Sequence, residues 1–442
     1  MPPLVDALAV AYWASAGLVL YAYVGYPLLI WALSWAFGRR PLPPVVADAD
    51  LPAVSVLVAA YNEEKEIGDR IVNALKQDYP PGMLEVVIAS DGSSDRTNEI
   101  ARGHTGYGVR LLDYPVRRGK ATVLNDAFGE LDGEVVVLSD ANTYFSGPKV
   151  VRKLARWFRD PAVGAVCGKL VLTDPNTGTN VDGLYWKYET FLKQCECRLG
   201  ALLGSNGAIY AVRRELFDGI PPDTVLDDFV IPLRARMRTG KRIVYDPEAR
   251  ADEETPKGIR QEFKRRARLG AGGFQCIGML RGLLHPRHGW TAFTFWSHKV
   301  LRWACPFLLI AALAANAALA VVGGPLYLGL LAGQVLFYAL ALLGSRLPAG
   351  SKVCKAVRLT TMFVSMNAAL LVGFVRWARG SQRAAWERTA RAPEVIPVGV
   401  ASSTETIVIR ALEDTQEIPV LTNPAQARLL REEAVNAVGV VA

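Results

Sequence analysis

Charge is absent from three long stretches of this sequence. No Asp, Glu, Lys or Arg occurs from Ala7 to Phe37, from Ala304 to Ser345, or from Leu359 to Val375. A chain needs about 20 apolar residues to cross a bilayer as a helix. The first gap fits one long span. The second has twice the needed length and is divided by Gly323-Gly324-Pro325, which reads as the turn of a helical hairpin. The third is marginal, with Arg358 and Arg376 placed to snorkel at its ends. These gaps account for a hydrophobic content of 51% and a mean hydropathy of +0.18, above the usual soluble range.

Other absences narrow the function. The six cysteines (Cys167, Cys195, Cys197, Cys276, Cys305, Cys354) form no Cys-x-x-Cys pair and no Cys/His spacing, which argues against a structural zinc site. Cys195-Glu196-Cys197 reads as a chance pair, and scattered thiols suit a reducing cytosol. Gly119-Lys120 lacks the glycine spacing and the Ser/Thr of a phosphate-binding P-loop. The first apolar run has no basic leader and ends in Arg39-Arg40 rather than a small-residue cleavage site, so it reads as a retained anchor and not a signal peptide. No internal repeat is visible.

The net charge is +8. Much of the basic excess lies between Lys257 and Arg302 and after Arg346, beside the apolar segments. That placement points to a lipid bilayer as partner and away from nucleic acid. Arg39 and Arg40 put the following segment in the cytosol, because Lys and Arg favour that side. Five segments follow: an N-terminal transmembrane helix (1–40), a cytosolic α/β domain (41–256), amphipathic interfacial helices (257–298), C-terminal transmembrane helices (299–377) and a tail (378–442). The tail poses a conflict. Three C-terminal crossings would place it outside, whereas Arg376, Arg379, Arg383, Arg388 and Arg391 favour the inside. Either Leu359 to Val375 is re-entrant or interfacial, or the charge rule fails.

Within 41–256, the β-branched run from Val54 to Ala60 reads as a buried strand. A helix is expected from Glu63 to Gln77, a second strand from Leu84 to Ala89, and a turn at Asp91-Gly92-Ser93-Ser94-Asp95 feeding a helix at Thr97 to Arg102. A short strand from Val109, a helix from Ala121 to Phe128 and a strand from Glu134 ending at Asp140 complete the series. Alternating strands and helices imply a mainly parallel sheet covered on both faces. Ligands bind such sheets outside the carboxyl ends of the strands. Tyr61-Asn62-Glu63, Asp91 and Asp140 each lie just past such an end, so three polar clusters can share one crevice. Further on, Ile259, Phe263, Ala267, Phe274 and Ile277 alternate with Lys264, Arg265, Arg266 and Arg268 as an amphipathic helix on a membrane surface, with Gly270, Gly272 and Gly273 marking a break.

The acidic clusters suit nucleotide and metal chemistry. Mg²⁺ takes one or two carboxylates plus phosphate oxygens, and Asp140 with Asn142 two residues on can face one ion, or form a simple Asx turn. Asp91 is placed to accept from a base N–H, or to shape a turn. Asp227-Asp228 beside Phe229-Val230-Ile231 is a carboxylate pair in which one raises the other's pKa, as a general base requires. The same pair also suits a helix N-terminus.

Together these residues resemble the family 2 inverting glycosyltransferases, particularly the membrane branch of cellulose, chitin, hyaluronan and poly-N-acetylglucosamine synthases, over about Leu51 to Trp303. Ala60-Tyr61-Asn62-Glu63 matches the family's first motif, with Ala60 where Pro is usual, and Asp91 to Asp95 matches the second. Gly119-Lys120 with Asn125, Asp140-Ala141-Asn142, Ser205-Asn206-Gly207-Ala208, and Asp227-Asp228 with Arg234 follow in order. The resemblance implies a GT-A (Rossmann-like) fold, a UDP-sugar donor, Mg²⁺ or Mn²⁺, and inversion. It assigns Tyr61, Glu63, Asp91, Lys120, Asp140, Arg265 and Arg268 to the donor. It gives Asp140 and Asn142 to the metal, Asn206, Gly207 and Trp186 to the acceptor, and Asp228, with Asp227, to catalysis. One position departs: where processive relatives carry Gln-x-x-Arg-Trp, this chain has Arg265-Arg266-Ala267-Arg268-Leu269, so the aromatic platform is absent unless Tyr185, Trp186 or Tyr188 replaces it. The leading expectation is transfer of a hexose or N-acetylhexosamine to a growing glycan, forming a β-linked exported polysaccharide at the inner membrane. The rivals are single addition to a lipid or lipid-linked acceptor, and a catalytically silent nucleotide-sensing membrane scaffold or transporter.

Overall fold

The computed structural model describes residues 2–173, 183–254, 259–344 and 352–382. Residues 383–442 of the expected tail and the side chain of Tyr185 lie outside the described residues.

The chain starts with a continuous apolar rod. Helix α1 (Pro2–Leu20) passes through one π-helical turn (Tyr21–Gly25) into α2 (Tyr26–Ala36). The α/β domain follows as β1 (Val54–Ala60), α3 (Ile67–Leu75), β2 (Leu84–Asp91), α4 (Thr97–Gly103), β3 (Val109–Tyr114), α5 (Lys120–Ala127), β4 (Val135–Asp140), β5 (Thr143–Phe145), α6 (Val150–Ala155) and β6 (Val163–Thr173). It closes with α7 (Leu184–Arg198), β7 (Tyr210–Arg213), α8 (Asp227–Thr239) and β8 (Arg242–Glu254). The remaining helices are α9 (Ile259–Met279), α10 (Trp290–Thr294), α11 (Leu301–Val322), α12 (Pro325–Leu343) and α13 (Lys352–Ala378).

One eight-stranded sheet runs in the order β3-β2-β1-β4-β7-β6-β8-β5. All seven residues of β1 are buried, as its uninterrupted apolar run requires of a strand covered on both faces. The first four strands are mutually parallel, with Ala59 opposite Ala89 on one side and Asp140 on the other. The expected parallel sheet ends there. Strand β7 enters antiparallel between β4 and β6, β8 pairs parallel with β6, and β5 closes the edge antiparallel, so the sheet is mixed. The helix expected from Glu63 forms only at Ile67, because the amides of Glu63 and Glu64 are taken by Thr97 Oγ1 and Asp95 instead. Chain order reverses between β1 and β4, and a crevice opens at their carboxyl ends.

Four helical segments are long and apolar enough to cross a membrane: Pro3–Ala36, Trp290–Val322, Pro325–Leu343 and Val357–Ala378. The hairpin turn falls at Gly323–Gly324, as expected, with Gly324 at φ +93°.

Helix α9 corrects two expectations. It is unbroken through Gly270, Gly272 and Gly273. Its apolar side is covered by protein, with Ala267, Ala271 and Cys276 nearly inaccessible. The glycines are where other chains come close. A Cβ on Gly270 would stand 3.1 Å from Leu370 Cα, one on Gly272 2.7 Å from Leu226, and one on Gly273 2.6 Å from the Trp303 ring. Gly373 of α13 answers, with its missing Cβ 2.6 Å from the Ala267 carbonyl. The small residues are a crossing surface between α9, α13 and the α/β domain.

Candidate active site

The end of β1 and the loop after β2 are stitched together. Asn62 adopts φ +55°, a left-handed conformation that Asn tolerates better than most residues. From there its amide donates to Ser93 Oγ at 3.1 Å, and its side-chain oxygen accepts from the Ser94 amide at 2.8 Å. Tyr61 lies beneath the Arg117 guanidinium, 3.8 Å from the ring centroid. Asp91, at the end of β2, accepts from the amides of Arg118 at 2.6 Å and Gly119 at 2.8 Å. Those bonds pull the Arg117–Lys120 loop over the sheet end. The approach needs Gly92, which has φ +67° and where a Cβ would stand 2.6 Å from the Arg117 amide nitrogen.

Fixing Gly119 aims Lys120, the first residue of α5, into the crevice. Its Nζ donates to Asp140 Oδ1 at 2.8 Å and lies 3.3 Å from Asp227 Oδ2. Asp227 and Asp228 open α8, and the Asn206-Gly207-Ala208 loop passes beside them. A Cβ on Gly207 would lie 3.5 Å from Asp228 Oδ2 and 3.7 Å from Asp140 Oδ2. Both carboxylates therefore face the same bare stretch of backbone. Ser205 fixes this loop by donating its amide and hydroxyl to the Asp228 carbonyl. Asp140, Asp227, Asp228, Lys120 and Gly207 thus form one cluster, with Asp91 directly behind it.

Three carboxylates around one ammonium leave an excess of negative charge. Burial raises the Asp228 pKa to about 6, reinforced by Asp227 and opposed by Lys120. Burial alone would lower the Lys120 pKa, but Asp140 and Asp227 outweigh it and hold the ammonium above its ordinary range. Asp227 Oδ2 is buried without a hydrogen bond. Among the described residues no three His, Cys, Asp or Glu side chains form a ready-made cation cage. Mg²⁺ needs no such cage, since it binds through one or two carboxylates plus substrate phosphates. The surplus negative charge of three carboxylates around one ammonium fits a divalent cation.

The other expected residues are dispersed. The Asn142 amide donates to Glu253 on β8 at 3.3 Å. Glu63 gives its backbone amide to Thr97. Arg265 pairs with Glu262 one turn back, whereas Arg268 is half-buried with its Nε making no hydrogen bond. Leu269 is 40% exposed. Trp186 Nε1 donates to the Leu170 carbonyl at 3.0 Å, and Tyr188 packs instead against the N-terminal rod, its hydroxyl near the Tyr23 carbonyl.

Two residues with no sequence signal join the site. Tyr210 on β7 is fully buried, its hydroxyl makes no hydrogen bond, and burial, reinforced by the three aspartates, pushes its pKa well up. Lys193 on α7 donates to Asn206 Oδ1, while Asn206 Nδ2 donates to the Gly168 carbonyl at 3.0 Å.

The family model described as glycosyl transferase family 2 matches residues 55–219. A poly-beta-1,6-N-acetyl-D-glucosamine synthase of Staphylococcus epidermidis is 25% identical over 236 residues, 51% of this chain and 55% of that protein. An N-acetylglucosaminyltransferase of Sinorhizobium fredii is 29% identical over 264 residues, 54% of this chain and 63% of that protein. The match thus spans less than two thirds of the length of these curated relatives. A mannosyltransferase from Pyrobaculum calidifontis, solved in complex with GDP-Man and Mn²⁺, is 25% identical with a TM-score of 0.61, covering 85% of this chain and 98% of that one. The matched stretch contains Tyr61, Asp91, Lys120, Asp140 and Gly207, the residues that the fold gathers around one crevice. This chain carries a glycosyl transferase family 2 domain of the GT-A fold.

Proposed function

We propose that the protein is a membrane-integrated, metal-dependent inverting hexosyltransferase. It takes a hexose or N-acetylhexosamine from a UDP-sugar and forms a β-linked product. The observation that carries this reading is the convergence of Asp140, Asp227, Asp228 and Lys120 on the bare backbone of Gly207. Tyr61, Asp91 and the loop that Asp91 secures flank the nucleotide end, and Asp140 would hold Mg²⁺ or Mn²⁺. Such an ion supplies charge stabilisation to the departing diphosphate. Lys120 lies where it adds a second positive charge.

Asp228 takes the proton of the acceptor hydroxyl. The hydroxyl oxygen bonds to the sugar's anomeric carbon, and the bond from that carbon to the diphosphate breaks, its electron pair leaving with the nucleotide. Inversion requires the base on the face opposite the leaving group. Asp228, beside the Asn206-Gly207 loop, is the acid whose raised pKa suits that task.

The synthases among the relatives support a growing glycan as acceptor and a polysaccharide as product, and export of that product is part of this reading. Single addition to a lipid-linked acceptor is the second reading, favoured by Leu269 in place of the aromatic platform. Detergent-purified protein incubated with a panel of UDP- and GDP-sugars is expected to release UDP only with added Mg²⁺ or Mn²⁺, and to lose this activity in EDTA. Undiminished release in EDTA would count against the metal. Product length separates polymer from single addition.

A further inference from the structure

A cavity of about 160 Å³ lies beside the acceptor loop, lined by Trp186, Glu189, Lys193, Asn206, Tyr245 and Lys299 among others. At about 30 Å³ per liquid water it has ample room for the five heavy atoms of a phosphate. Its wall is cationic. Lys193 reaches Asn206 Oδ1 and lies 4.0 Å from Cys167 Sγ, with no carboxylate within ion-pair distance among the described residues. Lys299 lies 4.0 Å from Glu189 Oε2 and 3.4 Å from His298 Nε2. Glu189 is already held by Arg302, with His298 at 3.6 Å. The next carboxylate inward, Glu196, is held by the Tyr26 hydroxyl and His298. Of the charged side chains that line the cavity, two, Lys193 and Lys299, are basic and one, Glu189, is acidic and already held by Arg302. A charge removed from water without a counterion is costly, so such a wall favours an anion.

The position identifies the source of that anion. Lys299 belongs to Trp290–Val322, a segment apolar and long enough to cross a membrane. Glu189 and Lys193 project from α7, which packs on the N-terminal rod through Tyr188 and Tyr26. The cavity thus sits where the α/β domain meets two candidate spans. On its other side, Asn206 adjoins Gly207, which faces Asp228.

We propose that this cavity seats the phosphate of a lipid-linked acceptor, so that the acceptor is a phosphate-bearing glycolipid whose sugar hydroxyl reaches Asp228. The inference rests on the glycosyl-transfer reading and names its acceptor class.

The test supplies a radiolabelled UDP-sugar to the full-length protein in detergent with one of three acceptors: a synthetic polyprenyl-pyrophosphoryl monosaccharide, the sugar 1-phosphate, or the neutral benzyl glycoside. Transfer to the lipid is expected. Losing one charge-assisted contact in Lys193→Gln should raise the KM for that lipid about tenfold or more, and Lys193→Arg should restore most of it. Lys299→Gln should do the same, but Lys299 lies in a packed helix, so Lys193, which is half-buried, decides the matter. A lipid KM unchanged in Lys193→Gln, or a benzyl glycoside used as well as the lipid, overturns the phosphate seat. A sugar 1-phosphate used as well as the lipid overturns the membrane source. Nucleotide release measured in parallel separates the two readings. If no donor yields free nucleotide, the transferase reading fails and this inference falls with it. If nucleotide is released and only the neutral glycoside is extended, the phosphate seat alone fails.

Discussion

At the scale of single residues, the chemistry depends on how differently two adjacent aspartates are treated. Burial and the neighbouring Asp227 lift Asp228 from the ordinary 3.8 to about 6, while Lys120 limits the rise. A base must be ionised to act, so kcat/KM for transfer is expected to rise with pH through about 6 and level off above it. Asp228→Asn should abolish that limb and reduce kcat by roughly 10² to 10⁴, measured as nucleotide release in the presence of acceptor. The same shift has a cost to stability. A carboxyl whose folded pKa lies above its unfolded one favours the fold below pH 3.8, and that contribution is lost as pH rises through about 6. Asp228→Asn should therefore unfold at a higher temperature than the native chain at pH 7.5, with the gain shrinking toward pH 4. The candidate aspartates were legible from their places at strand ends and beside Phe229. Tyr210 and Lys193 were not, because a lone Tyr in a strand and a lone Lys in a helix carry no local signature of what they face.

At the scale of elements, α9 shows why periodicity alone misleads. Its alternation of apolar and basic residues is that of a surface-seeking helix, and its glycines are poor helix formers. Packing overrides both. Without side chains, Gly272 and Gly273 let Leu226 and Trp303 approach closer than a Cβ permits, and Gly270 lets α13 come to a tight 3.1 Å. Gly273→Val would drive a branched side chain into the Trp303 ring. Overpacking of this kind costs about 1–3 kcal/mol, to be read as a lower melting temperature in detergent. Gly278, with nothing within 4 Å of its missing Cβ, should accept Ala without loss. The strands were easier to foresee, since the buried runs of β1, β2 and β4 are continuous in sequence. The antiparallel entry of β7 was not, because a four-residue strand has too little pattern to reveal its partner.

At the scale of the whole molecule, the disposition of α13 bears on the conflict over the tail. Its length suits a crossing. It touches both arms of the α11–α12 hairpin. Thr361 Oγ1 donates to the Ala341 carbonyl at 2.8 Å, and Phe374 packs edge-on against Phe307 with ring centroids 4.8 Å apart. Val357 and Thr361 meet Gly344 and Ala341, and Phe363 meets Phe337, so the first half of α13 runs back along α12. Its far partner, α9, also packs on the α/β domain through Val225 and Leu226. The second half of α13 packs on α9, where Phe374 and Trp377 meet Phe274, and we propose that Arg376 and Arg379 stay on the domain's side, as the charge rule favours. Ser381→Cys is accordingly expected to react with a membrane-impermeant thiol reagent only in opened membranes. Labelling in intact cells would mean that α13 crosses.

Sequence by itself determined the strands of the parallel half, the apolar segments, the hairpin turn and the residue types available at each strand end. All of these depend on neighbours within a few positions along the chain. Tertiary structure alone decided that Lys120 would stand between Asp140 and Asp227, that glycines in α9 would mark a crossing rather than a break, and that Lys193 and Lys299 would share a cavity wall. Each of those pairings joins residues far apart in sequence. Only the packing of the sheet against its helices brings them within a few ångströms, and no local pattern records it.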